Sequence, residues 1–362
     1  MYRGPLGGSQ MGVNSRKLYL DILRIGACFL VIFNHLPGYT AYQSASGPVQ
    51  TFGYMFLTMF TRVNVPLFLM LSGSLLLSRD IGYKDLFGRV MRVVGAIIVS
   101  TTAVYCVAYR HNISNWNIVT LVRMMINGSL NGTYWYLYAY LGFLIVLPFM
   151  RSIAKNLRKQ DFIALLVGHC VLWTLLPLGN YVLKCWGKES VTLNSSFIVP
   201  FMSIAAFFYP LLGYYLDQVL DISKITGKKM ILLCVAALAG IGVSCFFTYH
   251  QGVNRGFTQD FVQMFDYLTT ICIFLLTKFI CTRTNNLGNS VFWTNALSLV
   301  SSLTFGIYLL EPVLKLYYNR IIGWLHLEHP LLISGFWCFF AMVVCGTVTY
   351  LLKKIPFIKK IF

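Results

Sequence analysis

Apolar residues in this chain gather into ten stretches long enough to cross a bilayer, at about 18–37, 58–78, 90–109, 134–150, 162–183, 198–216, 230–250, 265–281, 296–316 and 331–352. A helix needs about 20 mostly apolar residues to traverse the hydrocarbon core. Within lipid, only helices and closed barrels satisfy every backbone N–H and C=O. The period-2 alternation of barrel strands is absent. The pattern therefore predicts an all-α, polytopic integral membrane protein with about ten transmembrane helices, and the short connections leave no room for a soluble domain. Composition agrees, because only 11% of the residues are charged and 57% are apolar. An ordinary soluble domain carries about 25% charge, so a water-soluble globule or a disordered chain is excluded.

The formal net charge of +18 would suggest nucleic acid in a soluble protein. Here the basic residues sit in short clusters on alternate loops, as the positive-inside rule requires of cytoplasmic segments. Arg79, Lys84, Arg89 and Arg92 form one such cluster, Arg151, Lys155, Arg158 and Lys159 another, and Lys353, Lys354, Lys359 and Lys360 a third. That bias places both termini in the cytoplasm and argues against a nucleic-acid partner. Residues 1–15 read as an expression scar and cytoplasmic N-terminus, 16–352 as one membrane domain, and 353–362 as a basic cytoplasmic tail. The ten cysteines show no CxxC spacing, so neither a disulfide framework nor a zinc site is expected. His326 and His329 lack a third ligand nearby in sequence, and no metal is expected.

Charges at membrane depth are expensive and by default mark function. Arg24 and His35 in the first stretch are eleven residues apart, which on a helix is about 16 Å of rise and about 20° past three full turns. The two side chains then share one stripe, with Asp21 one turn from Arg24. A snorkelling Arg24 and a packing His35 fit the same periodicity. Arg89 and Arg92, at i and i+3, share a helix face, and guanidinium forks there suit phosphates; membrane-surface anchoring is the plain alternative. Glu311, well inside the ninth stretch, demands a partner or a wet cavity. Asn34, Asn64 and Tyr136 are further candidates for lining a cavity, whereas His111, His169 and His250 read as structural.

Several patches, in order, resemble the membrane acyltransferase-3 family, whose members O-acylate cell-surface glycans. Leu20-Asp21-Ile22-Leu23-Arg24 running to His35 resembles the family's Arg-x10-His first helix. Val65-Pro66-Leu67-Phe68-Leu69-Met70-Leu71-Ser72-Gly73 is similar to its second-helix motif, and Arg89-Val90-Met91-Arg92 to its RxxR. Tyr134-Trp135-Tyr136-Leu137-Tyr138, Phe207-Phe208-Tyr209-Pro210-Leu211-Leu212-Gly213 and Phe305-Gly306-Ile307-Tyr308-Leu309 are similar to later signatures. Glu311 departs from the pattern, since many members have His after the last of these. The resemblance implies acyl-CoA, in the simplest case acetyl-CoA, as the donor at the cytoplasmic side, and a hydroxyl of a glycan or glycolipid as acceptor. Arg24, Arg89 and Arg92 would then hold the coenzyme A phosphates, and the catalytic pair would be His35, as general base or acyl carrier, with Arg24. The expected setting is a bacterial cytoplasmic membrane. A transporter or flippase of a glycan or lipid-linked intermediate is the alternative.

Overall fold

The computed structural model describes residues 18–110, 116–127, 132–188, 199–257, 261–284, 291–356 and 358. The expected scar at 1–15 and most of the basic tail lie outside the described residues. Among the described residues the fold is all helical. Seven helices are long and apolar enough to span a membrane: Pro48–Leu76, Tyr83–Ala108, Gly132–Asn156, Lys159–Cys185, Gly227–Val253, Phe292–Lys315 and Pro330–Leu352. An eighth is the pair Leu18–Asn34 and Pro37–Ser44, bent by 72°. Large apolar side chains such as Ile231, Leu232, Val235, Phe339 and Val343 face outward, while Asp21, Asn64, Asp217, Asp266, Lys278 and Glu311 are buried. That inversion suits a lipid solvent and would be unstable in water.

Among the described residues, two of the ten expected stretches, the sixth and the eighth, do not form a span of that length and apolarity, and the physical reasons are local. The sixth stretch is broken at Ile204, whose extended backbone separates Pro200–Ser203 from Ala205–Tyr214. The latter runs into a wide π turn at Tyr215–Val219. The eighth, Asp266–Arg283, carries Asp266, Lys278 and Arg283, too polar for an unaided span. The buried Lys278 Nζ donates to the carbonyls of Leu216 (2.8 Å) and Asp217 (3.0 Å). A cation thus caps the carbonyls that end the neighbouring helix, where the macrodipole is negative.

The first helix, α1 (Leu18–Asn34), also ends earlier than expected. His35 N–H bonds the carbonyl of Ile32 at 3.1 Å, an i−3 turn rather than a further helical one. Pro37 lacks an N–H and drives the preceding Leu36 to extended backbone (φ −118°, ψ 161°). The continuous stripe that periodicity assigns to Arg24 and His35 therefore runs only as far as Asn34, and His35 stands in the bend beyond it.

The tightest crossing joins α2 (Asn64–Leu76) to α3 (Ala205–Tyr214). A Cβ on Gly73 would lie 1.9 Å from the Pro210 carbonyl oxygen, and one on Gly213 would lie 2.1 Å from that of Met70. Only glycine permits such backbone contact, a recurrent way for membrane helices to approach closely. Ser74 Oγ donates across the crossing to the Gly213 carbonyl at 3.0 Å, and Leu67, Met70, Leu71, Phe208 and Tyr209 close the core around it.

Candidate functional site

Helices α1, α2 and α3 border a cavity of about 1150 Å³, larger than the roughly 300–1,000 Å³ of ordinary small-ligand sites. Of the residues singled out in the sequence, Asp21, Arg24, Asn34, His35, Asn64, Arg89 and Tyr136 line its wall. Arg24 Nη1 donates to Ser301 Oγ at 3.3 Å, tying the guanidinium to the helix Val291–Lys315. Arg79, which follows α2, also lines the wall, so the cavity gathers Arg24, Arg79 and Arg89.

His35 and Asn34 occupy a junction. They line the large cavity and also a second one of about 760 Å³, with Thr133 and Trp135 shared as well. The Asn34 side-chain amide donates to the Thr61 carbonyl at 3.4 Å. Lys315 Nζ donates to the His35 backbone carbonyl at 2.5 Å, which fixes the bend. His35 Nδ1 is buried with no hydrogen-bond partner among the described residues.

Two of the sequence candidates lie off the wall. Arg92 is exposed, and its guanidinium rests over the ring of the wall residue Phe305, 5.7 Å from the centroid; the face expected to be shared with Arg89 is divided between cavity and surface. Glu311 is buried, accepting a bond from Trp337 Nε1 at 3.3 Å, with Lys315 one turn on supplying opposite charge. Glu311 thus belongs to the support behind His35.

The cavity also takes in residues that sequence reasoning missed or read as packing: His169, Trp173, Tyr209, Asp217, Gln218, Gln263 and Asp266. Trp173 lies in a π turn at Val171–Leu175, and Asp217 and Gln218 lie in the one at Tyr215–Val219. Such turns shift helical register and recur at functional sites. Tyr136 extends the wall as an aromatic surface, stacked on Tyr140 (6.1 Å, 14°) and edge-on to Tyr308. Among the described residues no group of three His, Cys, Asp or Glu is placed to hold a metal.

The acyltransferase-3 family model, described as an acyltransferase domain, matches residues 17–352. The chain belongs to the acyltransferase-3 family. Comparison with curated proteins and with solved structures gave no match. Together with its long apolar helices, membership makes the protein a multi-pass membrane acyltransferase, whose chemistry needs an acyl donor and an acceptor. Lys315 supports the bend through the His35 carbonyl. A bond to a charged group is worth about 1.5–3 kcal/mol, so Lys315→Met is expected to destabilise the fold by about that amount. A thermal melt identical to wild type would show that the bend holds without this bond.

Proposed function

We propose that this acyltransferase moves an acyl group, acetyl in the simplest case, from acyl-CoA at the cytoplasmic face to a hydroxyl of a glycan or glycolipid, in a bacterial cytoplasmic membrane. The observation that carries the reading is that Arg24, Arg89 and His35 line one cavity while His35 also lines a second. In this reading Arg24 and Arg89 bind the phosphates of coenzyme A, with Arg79 beside them and Arg92 adding charge at the rim. The pantetheine arm runs along Tyr136 and Tyr140, and the acceptor meets the thioester at His35, with Asn34 and Asn64 bordering the same space and Asp21 offsetting charge beside Arg24.

The neutral His35 imidazole takes the proton of the acceptor hydroxyl as its oxygen attacks the thioester carbonyl carbon. The tetrahedral intermediate expels the coenzyme A sulfur, the C–S bond breaks, and the imidazolium returns the proton to the thiolate. A two-step route balances equally: His35 attacks the thioester, releases the thiol, and passes the acyl group to the acceptor oxygen. Rapid-quench kinetics separate the two, because only the second gives a burst of free thiol without acceptor.

The test is purified protein in liposomes with acetyl-labelled acetyl-CoA and a bacterial envelope glycan fraction. Label is expected to move into the glycan. A labelled glycolipid crossing the bilayer with no donor present, and without acetylation when donor is added, would overturn the proposal in favour of transport. The donor site has its own test. Each charge-assisted phosphate contact contributes about 1.5–3 kcal/mol, so the double substitution Arg89→Ala, Arg92→Ala is expected to raise the acyl-CoA Kd at least tenfold. An unchanged Kd would remove these arginines from donor binding.

A further inference from the structure

Six residues lining the large cavity go unused in the acyl-CoA reading, Arg62, His169, Trp173, Tyr209, Gln263 and Asp266, and ring contacts and a hydrogen bond join Trp173, His169, Tyr209 and Asp266 into one lobe of it. It lies at the opposite end of α2 from Arg79 and Arg89, because Arg62 precedes that helix and Arg79 follows it. Thirteen helical residues separate the two ends, about 20 Å at 1.5 Å per residue. The chemistry of the two ends differs accordingly. Arg79, Arg89 and Arg24 offer three guanidinium donors with Asp21 beside them, whereas the Arg62 end sets one guanidinium among a carboxylate, an amide, an imidazole and an indole face.

The imidazole is the sharpest clue. His169 is 2% exposed, and its Nδ1 lies 2.6 Å from the Met202 carbonyl oxygen. A carbonyl only accepts, so Nδ1 carries the proton and a neutral ring presents Nε2 as a lone pair. Nε2 is buried with no partner among the described residues, an expensive condition that a ligand hydroxyl would relieve. The ring is held for that purpose, stacked on Phe208 (3.8 Å, 9°) and parallel to Trp173 (5.6 Å, 14°). Asp266 is likewise held: Tyr209 donates its hydroxyl to Oδ1 at 3.0 Å. Thr174 Oγ1 donates to the Met264 carbonyl at 2.5 Å, pinning the Trp173 turn beside Gln263. Arg62 is fixed by its bond to the Tyr39 hydroxyl at 2.9 Å.

We propose that this lobe is the recognition subsite for the acceptor's sugar ring. Asp266, Gln263 and His169 Nε2 take its hydroxyls, Arg62 donates to a ring or hydroxyl oxygen, and Trp173 packs on its C–H face. With a single guanidinium set against a carboxylate and a lone pair, this end suits neutral hydroxyls better than the coenzyme phosphates, for which three guanidiniums stand at the other end. The lobe adjoins His35, since Asn34 bonds the carbonyl of Thr61, the residue before Arg62. The assignment rests on the acyl-transfer reading for the word acceptor, but sugar binding itself is measured without any donor.

The experiment is calorimetry on the full chain in a detergent that contains no sugar, titrated with methyl glucoside, methyl galactoside and methyl N-acetylglucosaminide. At least one sugar is expected to bind the wild type. Asp266→Asn and Trp173→Ala should each weaken that sugar at least tenfold and leave acetyl-CoA affinity within twofold. Asp266→Asn keeps an oxygen for Tyr209, and Trp173→Phe keeps an aromatic face and should restore part of the binding, so misfolding is distinguished from loss of the subsite. No binding by the wild type, or wild-type affinity in both variants, overturns the proposal. Sugar binding in a protein that transfers no acetyl group would sink acyl transfer and leave the subsite standing. Transfer with unchanged acceptor KM in Asp266→Asn would do the reverse.

Discussion

His35→Ala is expected to lower acyl transfer by about 10²–10⁴-fold, the range that a positioned general acid–base contributes, and further if the imidazole carries the acyl group. The fold should survive. Lys315 holds the bend through the backbone carbonyl of residue 35, not through its side chain, and residue 35 borders two cavities. Steady-state transfer of labelled acetyl, measured beside a thermal melt, checks both halves. A variant that melts like wild type and transfers at the wild-type rate would remove His35 from the chemistry. A variant with donor affinity intact and transfer lost would leave it as the group acting on the reacting atoms.

The largest structural effect is expected at the crossing of α2 and α3. Gly213→Ala places a methyl 2.1 Å from the Met70 carbonyl oxygen, and Gly73→Ala places one 1.9 Å from that of Pro210. Each obstacle is backbone, so no rotamer change relieves it and the helices must part. Overpacking by a single group ordinarily costs about 1–3 kcal/mol, and these two substitutions belong at or above the top of that range. Separation would also stretch the Ser74 bond to the Gly213 carbonyl and widen the cavity that both helices border. Gly142 is the control: nothing lies within 4 Å of a Cβ there, and alanine favours a helix by about 1 kcal/mol over glycine. Loss of monodisperse protein on mild heating should single out Gly73→Ala and Gly213→Ala. Equal heat resistance in all three variants would show that the crossing is looser than described.

Some of this protein is written along its chain and some is not. Charge or polarity at membrane depth marks Asp21, Arg24, Asn34, His35 and Asn64, i, i+3 spacing marks Arg89, an aromatic motif marks Tyr136, and all of them border the cavity. Arg92 shares Arg89's spacing argument yet lies outside on Phe305, because a helical face says which residues are neighbours and not which neighbour a cavity admits. Asp266 carries no mark along the chain, and His169 reads there as structural. Each is a solitary polar residue in an apolar run, and nothing nearby in sequence shows that three separate segments, carrying His169 with Trp173, Gln263 with Asp266, and Arg62, come together on one cavity. The cost of an unpartnered buried polar group was a signal available in principle, and it pointed correctly at Glu311, which finds Trp337.

Hydrocarbon demands long apolar helices and penalises every charge within them, so the order of amino acids alone determined a membrane-embedded helical protein, the motifs that place it among the acyltransferases, and a short roster of suspicious polar side chains. Packing decided the rest. How closely two glycines let α2 and α3 approach, and which side chains the local bend of α1 and the two π turns bring together, are outcomes of contacts between residues far apart in the chain. Those contacts enclose one large cavity, gather three guanidiniums towards one end and set Arg62 with a carboxylate and a tautomer-fixed imidazole at the other, and leave His35 where two cavities meet.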